Sequence, residues 1–505
     1  MLQSIWSRLH RQRMILPARD IFDADLDLAR HKPGCALCRL VKEHDQQVMH
    51  SFLWEYCTDP HVGMQISASW GFCPYHTWSL AILEHDRLGD GLGITISYQV
   101  LLKQLQRVLQ TERYAKRRTS QRDIPAGPAI GSAVCRFCQL ARREESLFLS
   151  RLSQRFQRGI NRGNKSDWSS LQMELCLPHT TILLEEVSAE GTDRPFSWSR
   201  LHRDRQNTPP AGLHQQEVRT LATYLSECTA TQHFTEPDAY RDVTVHNWSQ
   251  IAHDLALLVG EREALPVHIT SQAGQTAPRQ MLLLPGQRSQ LHSPTSERCP
   301  VCAATSAACI AMCVRAFVQV EALPPIDAFC QSHHWILAAA IFLRSDNVSR
   351  YRSWLKQQRE EQRATLAHAH EYEYSASHLK QACMACVCVA DKDNEQIAAL
   401  IEGLRQSING STPIQEELLC LFHWKQIHDA CRHEPDALAL HERLLHRQQQ
   451  RLFQLDRAVE AYLARFNATR RERGEVPDIP GANWAWERLL AFFAGEPALI
   501  FPNRT

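Results

Sequence analysis

Apolar residues recur along the chain at spacings of three and four far more often than they alternate. Leu80, Ile82, Leu83, Ile94, Tyr98, Leu101, Leu102, Leu105, Val108 and Leu109 trace one such stripe, and Leu40, Val48, Phe52 and Leu53 a shorter one before it. This is the periodicity of helices that bury one face. The longest predicted helix lies between Pro435 and Gly474, where Leu438, Leu445, Leu452, Val459 and Phe466 stand seven apart, with Leu455 and Tyr462 at intermediate positions. Such a repeat suits a seam between two chains or a helix packed inside its own bundle. His441 and Gln448 at other intermediate positions favour the bundle. Strand-like alternation is scarce, and the predicted fold class is all-α.

A chain of 505 residues exceeds the usual size of one core and predicts more than one domain. Pro, Gly, Ser and Gln cluster over 265–296, where periodicity is lost, so a linker is placed there between units at 1–264 and 297–505. Lesser breaks fall at 119–132, 206–212 and 408–413. With 44% hydrophobic and 22% charged residues the chain is neither disordered nor fibrous. Its longest uninterrupted apolar run, Trp335 to Leu343, falls short of the ~20 residues that span a bilayer. Met1 to Met14 mixes Ile5, Trp6 and Leu9 with Arg8, Arg11 and Arg13 and does not read as a secretory signal. The expectation is a cytoplasmic chain with no membrane association.

Eighteen cysteines in such a chain point to metal or redox chemistry rather than disulfides. Twelve of them fall into four copies of one pattern, Cys-x-x-Cys followed by Cys-x-x-His. In chain order the copies are Cys35, Cys38, Cys73 and His76; Cys135, Cys138, Cys176 and His179; Cys299, Cys302, Cys330 and His333; and Cys383, Cys386, Cys420 and His423. Each supplies three thiolates and one imidazole, the ligand number and softness of a structural tetrahedral zinc site. About four structural Zn2+ ions per chain are therefore expected, each held by one copy. Iron–sulfur clusters use the same elements, but none of the ferredoxin-type spacings occurs. His334 stands beside His333 as a rival ligand.

The copies also reveal an internal repeat. Cys35 to Cys299 is 264 residues, Cys73 to Cys330 is 257, Cys135 to Cys383 is 248 and Cys176 to Cys420 is 244. The drift continues to Tyr224 and Tyr462 at 238, and to Gly260 and Gly495 at 235. A tandem duplication with loops shortened in the second copy produces such a trend. The chain is read as two duplicated helical-bundle halves, each stapled by two Cys3His sites.

Around "WGFCPYHTWSLAILEHDRLGDGLGITISYQVLL", Trp70 to Leu102, the chain resembles an uncharacterised bacterial domain family that pairs a CPxC hook with a GFCxxH hook in a helical protein. "WERLLAFFAGE", Trp486 to Glu496, resembles its closing helix. "CPVC" at Cys299 keeps the proline of that pattern, whereas "CALC", "CRFC" and "CMAC" lack it. The resemblance implies helical architecture, two cysteine-rich metal sites per unit and no assigned activity.

A metal with four protein ligands neither activates water nor polarises a substrate. Catalytic signals elsewhere are thin. "HERLLH" sets His441 and His446 five apart, where a zinc protease helix needs four, and reads as a solvated surface. "GDGLG", Gly89 to Gly93, lacks the lysine of a phosphate loop. His368, His370 and His378 near Glu371 and Glu373 read as polar surface. Cys57, Cys228, Cys309, Cys313, Cys388 and Cys431 lie outside the metal pattern, either as apolar filling or as thiols of a redox switch. Residues 1–209 hold 28 Lys/Arg against 22 Asp/Glu. Lys103, Arg107, Arg113, Lys116, Arg117, Arg118 and Arg122 surround Tyr114, and Arg151, Arg155, Arg158, Arg162 and Lys165 lie near Phe156; these runs could hold nucleic-acid phosphates or form a solvated helix face. The expected function is a zinc-stapled helical scaffold or adaptor that binds a protein partner without catalysis. A redox- or zinc-responsive regulator and a nucleic-acid-associated adaptor are the alternatives.

Overall fold

A computed structural model describes residues 21–30, 35–88, 91–118, 134–161, 175–183 except 177, four positions between 251 and 257, 299–318, 324–342, 348–367, 383–408, 418–431, 434, 436–479 and 482–495. These residues form helices and turns, with no strand among them, as the apolar periodicity predicts. The expected linker at 265–296, Cys228, the histidines at 368–378 and much of the two basic runs lie outside the described residues.

Among the described residues the helices include, in order, α1 (Ile21–Arg30), α2 (Ala36–Ser51), α3 (Pro60–Ala68), α4 (Pro74–Leu88), α5 (Leu92–Arg118), α6 (Arg136–Asn161), α7 (Pro300–Val318), α8 (Gln331–Phe342), α9 (Val348–Ala367), α10 (Met384–Ile408), α11 (Leu421–Cys431), α12 (Ala437–Ala464), α13 (Ala468–Glu472) and α14 (Ala485–Ala494), and residues 178–183 are helical after the Cys176 hook. One π-helical turn, Phe52–Tyr56, follows α2. The chain forms two compact units. One comprises Met1–His44, Ala141–Arg262 and Arg352–Ser377; the other comprises Asp45–Leu140, Glu263–Tyr351 and His378–Thr505. Each therefore draws on stretches from both sides of the expected linker.

The first unit closes a core of Leu26, Leu37, Leu40, Leu149, Leu152 and Leu183 around Cys35, Cys38 and Cys176. Arg39 Nη1 donates to the Ala29 carbonyl at 2.7 Å, satisfying an acceptor in the last turn of α1. In the second unit α7 lies against α10 and α8, while α12 packs on α5, α10 and α14. Gln106 Nε2 donates to the Leu452 carbonyl at 3.4 Å, and Gln449 Nε2 to the Leu109 carbonyl at 3.2 Å, stitching α5 to α12. The heptad stripe of α12 faces this bundle: Leu445, Leu452, Leu455, Val459 and Tyr462 are buried, and only the end positions Leu438 and Phe466 are exposed. It serves packing within the chain, the use that its polar intermediate positions favour.

Helix α7 is apolar on nearly every side, and Pro300–Phe317 is long and apolar enough to cross a membrane by length and composition. In the fold it occupies the place of a core helix, with Val301, Cys302, Cys309, Cys313, Val314 and Phe317 buried. A helix without a polar face belongs in the middle of a bundle or in lipid, and here α8 and α10 cover it.

Candidate metal centres

All eight hooks begin helices. The carbonyl of the first cysteine in each accepts the amide of the residue four further on, from Arg39 to Cys35 at 3.1 Å through Trp424 to Cys420 at 2.8 Å. A Cys-x-x-Cys or Cys-x-x-His at a helix N-terminus turns both side chains toward one point beyond the helix end, and the helix dipole favours the thiolate there. The hook at Cys73 needs more. Asp59 caps α3 by accepting from the amides of His61 and Val62 at 2.8 and 3.0 Å, and the chain then leaves α3 through Trp70 and Gly71, both at positive φ. A Cβ on Gly71 would meet the Tyr98 ring at 3.1 Å. Tyr98 Oη in turn accepts from the Phe72 amide at 3.1 Å and shares a hydrogen bond with Thr77 Oγ1 at 2.6 Å, which fixes both ends of the hook.

The structure gathers the sixteen cysteine and histidine positions into four clusters, but not the four expected from chain order. Cys35 and Cys38 meet Cys176 and His179; Cys73 and His76 meet Cys135 and Cys138; Cys299 and Cys302 meet Cys420 and His423; Cys330 and His333 meet Cys383 and Cys386. The first hook of each half joins the fourth, and the second joins the third. The pairing of neighbours in sequence is thereby corrected to a nested one. The physical reason is that a hook leads into a helix, and the helix carries the chain away before the next hook arrives. His333 rather than His334 joins its cluster; His334 Nε2 faces the Ile326 carbonyl at 2.5 Å instead.

Within the clusters the histidine Nδ1 faces the sulfurs, at 3.2–3.5 Å around His179, 3.1–3.7 Å around His76, 3.1–3.5 Å around His423 and 3.1–3.4 Å around His333. Sulfur–sulfur distances run from 3.5 Å for Cys73–Cys138 to 3.9 Å for Cys330–Cys386, far longer than the ~2.0 Å of a disulfide. All four ligand atoms of each cluster lie within 4.8 Å of one another, so each could hold a metal ion. The clusters at His179 and His423 are wholly buried, whereas Cys73 and Cys138, and likewise Cys330 and Cys386, are half-buried.

Electrostatics fits a cation in all four. Cys35, Cys135, Cys299 and Cys383, each the first residue of a Cys-x-x-Cys hook, are held below the usual thiol range. At Cys35 burial opposes ionisation, but hydrogen bonds from Cys176 and Cys38 and the charge of His179 outweigh it. The histidines move the other way against their own burial. His179 is raised by the charges of Cys38 and Cys35, and His423 is pushed up to about 12 by Cys420 and Asp393. A buried centre that holds protons this firmly is one where positive charge is stabilised.

The chain-order pattern did not reveal an outer layer of acceptors. Glu145 Oε1 lies 3.1 Å from His179 Nε2, Asp45 Oδ2 lies 3.0 Å from His76 Nε2, and Asp393 Oδ1 lies 3.3 Å from His423 Nε2. Thr305 Oγ1 donates to Asp393 Oδ1 at 2.7 Å and holds that carboxylate in place. Each of these acids stands seven residues after the second cysteine of a hook: Cys38 to Asp45, Cys138 to Glu145, Cys386 to Asp393. Seven residues are two helical turns, so hook and acid share one helix face. At His179 and His76 a carboxylate on the distal nitrogen fixes the tautomer that presents Nδ1 to a metal and increases its basicity, whereas Asp393 stands beside His423 as an ion pair.

Other sequence candidates do not converge. His441 is buried with its ring 4.8 Å from that of His428, while His446 is exposed and contacts Gln450; the reading of both as solvated surface is corrected for His441. At the glycine-rich turn the amides of Gly93 and Ile94 go to the Glu84 carboxylate, the latter at 3.0 Å, so a protein acid occupies the place a phosphate would take. Lys103 pairs with Glu460 at 3.5 Å. No disulfide occurs among the described residues.

Residues 14–196 match a protein family described as a family of unknown function (DUF6062). That stretch, a little over a third of the chain, carries the "GFCPYH" hook and both clusters of the first half, from Cys35 to His179. No curated protein and no solved structure matches the chain.

Proposed function

We propose that this chain is a zinc-stapled helical scaffold or adaptor, built from two copies of a nested two-site unit, that binds a protein partner and performs no chemistry at its metals. The observation that carries the reading is the closed Cys3His geometry. Bonds of about 2.3 Å to sulfur and 2.0–2.1 Å to nitrogen at tetrahedral angles put ligand atoms roughly 3.5–3.8 Å apart. The edges in the structure, from 3.1 to 3.9 Å, bracket that range. Four protein ligands leave no corner for water or substrate, which is the arrangement of a structural ion. Each zinc would contribute roughly 10–16 kcal/mol at neutral pH, comparable with the ~5–15 kcal/mol net stability of a whole domain.

The duplication is supported by recurrence of the pairing order: first hook with fourth, second with third, in both halves. The partner reading draws on the π-helical turn and α3, where Trp54, Tyr56 and Met64 are exposed, residue types that protein interfaces recruit. A reducing, cytoplasmic setting suits thiols held at metal-ligand rather than disulfide distances.

Elemental analysis of the purified protein, with X-ray absorption at the zinc edge, tests the reading. About four zinc ions per chain in a three-sulfur, one-nitrogen shell are expected. Fewer than three ions per chain, bound iron, or a water oxygen in the shell would overturn it.

A further inference from the structure

The closing helix of the second half packs on helices of the first. Helix α14 lies on α11 and α12 of its own half and on α4 and α5 of the other. A Cβ on Gly91 would meet the Trp486 ring at 2.9 Å, so only a bare backbone gives the indole its seat. The Phe493 and Tyr98 rings stand 5.5 Å apart, and Trp78 Nε1 donates to the Gly495 carbonyl at 3.1 Å. From the adjoining α12, Tyr462 Oη accepts the Gly91 amide at 3.2 Å. Tyr98 also fixes both ends of the Cys73 hook, so a helix of one half bears on a metal hook of the other.

The exchange runs both ways. Tyr98 and Lys103 of α5 match Tyr351 and Lys356 of α9 at an offset of 253, between the 257 and 248 of the flanking cysteines, and both tyrosines are fully buried. In this register Gln106 corresponds to Arg359. Gln106 reaches the Leu452 carbonyl in the other half, and Arg359 Nη1 donates to Asp254 Oδ1 in the other half. Asp254 belongs to the closing segment of the first half, which the 235 offset from Gly260 to Gly495 aligns with α14. At that offset Ile251, Leu255 and Leu257 take the places of Trp486, Leu490 and Phe492, and all six are buried. Residues 352–377 share a compact unit with 141–262, as α4 and α5 share one with α14. In both halves, then, the helix after the second hook meets the closing segment of the other half.

Two copies that use one surface on each other reciprocally are joined as the subunits of a closed homodimer are. We propose that the surface formed by α4 and α5 is the dimerisation surface of this repeat, that the partner it fits is the closing helix of a second copy of the repeat, and that this chain carries both copies on one polypeptide. The inference rests on the duplication argued above and extends it. The halves are interlocked rather than independent domains, and the intact chain is a monomer because each such surface is filled from within. Without its partner the first half would uncover Trp78 and Tyr98, and the second Trp486 and Phe493, apolar surface that a soluble chain keeps covered.

The test uses the full chain with a protease site placed within 265–296. Light scattering behind size exclusion should give the mass of one chain before cleavage, and one particle holding both pieces after it. With p-benzoylphenylalanine in place of Trp486, photocrosslinks located by mass spectrometry should fall within 74–118. Trp486→Arg, which sets a charge against Gly91, should let the pieces part once the chain is cut. Arg359→Asp should lower the urea concentration at which the cut pieces part, and Asp254→Arg added to it should restore the wild-type value; this pair carries the test if Trp486→Arg does not fold. An uncut chain that dimerises, wild-type pieces that part unaided, crosslinks to α8 or α9, folded variants that hold together as the wild type does, or a reversed charge pair that restores nothing would overturn the proposal. Zinc content does not enter these readouts, so pieces that part overturn the pairing and leave the staple reading standing, whereas a low zinc count overturns the staple reading alone.

Discussion

Glu145 and His179 stand 34 positions apart in sequence, yet Glu145 Oε1 lies 3.1 Å from His179 Nε2 with both side chains buried. Seven residues before this acid is Cys138, a ligand of a different cluster. Helix α6 therefore opens with a hook for one cluster and, two turns later, supplies the brace for another. In the second half α10 does the same, with Cys386 in its first turn and Asp393 at His423. One helix thus supplies cysteines to one cluster and an acid to the histidine of another.

Glu145→Ala removes the acceptor and leaves His179 Nε2 buried beside an apolar side chain. Zinc affinity at Cys35, Cys38, Cys176 and His179 is expected to fall by about 10–100-fold, with the other clusters unchanged. Competition with a chelator, read by which cysteines become alkylated, measures this. A wild-type release curve for that cluster would show that the acid is dispensable.

Gly71→Ala tests the hook rather than the metal. Its φ of 109° lies where only glycine is comfortable, and the added carbon would press on the Tyr98 ring at 3.1 Å. Such strain costs about 1–3 kcal/mol. A lowered thermal midpoint with zinc content retained is the expected result; an unchanged midpoint would mean that the turn relaxes freely.

How much of this was legible in the sequence depends on what each signal encodes. Helical class followed from the stripe through Tyr98, Leu101, Leu102 and Leu105, because burial of one face imposes its period directly on the residues, and all four are fully buried. The sixteen clustered positions were legible because Cys-x-x-Cys and Cys-x-x-His are local shapes, set by one helical turn. Their partnership was not, since it depends on where long helices deliver the next hook, a property of packing rather than of spacing. Proximity in sequence suggested Cys38 with Cys73, whereas the fold takes Cys38 to Cys176 at 3.7 Å. The bracing acids were hidden for a different reason: one Asp or Glu on a polar helix face resembles any other, and only the recurrence of the seven-residue register sets Asp45, Glu145 and Asp393 apart. The burial of His441 is not legible locally because its neighbours Glu442 and Arg443 are exposed and only the heptad position turns inward.

Proton release should accompany zinc uptake, with a count fixed by the metal-free cluster. At Cys299, Cys302, Cys420 and His423, one thiol is held below the usual range and two above it, while the histidine rises from 6.5 to about 12. At pH 7 this cluster therefore carries one thiolate, two thiols and an imidazolium, and zinc must displace about three protons. Because the folded value of His423 lies above its ordinary one, protonation stabilises the metal-free fold fully below about pH 6.5, and this contribution is lost as pH climbs toward about 12. Acid thus favours the empty cluster, and zinc affinity should fall by roughly a thousandfold for each pH unit of acidification near neutrality. Calorimetric titration in buffers of different ionisation enthalpy counts the protons; release of one or none would contradict the assigned protonation states.

The nested pairing itself makes the sharpest prediction, because it and the chain-order pairing assign the same residues to different ions. Cys73→Ser should remove one zinc per chain. In the nested arrangement Cys135 shares that ion, so Cys73→Ser with Cys135→Ser should also remove one, while Cys73→Ser with Cys35→Ser should remove two. Pairing by chain order reverses the two double variants. Ligand losses at one ion are not additive, since the second substitution acts on a site already lost, whereas losses at separate ions add. Elemental analysis of the three variants distinguishes the arrangements without any assay of function. A loss of one zinc for Cys73→Ser with Cys35→Ser, and of two for Cys73→Ser with Cys135→Ser, would mean that the hooks meet their sequence neighbours after all.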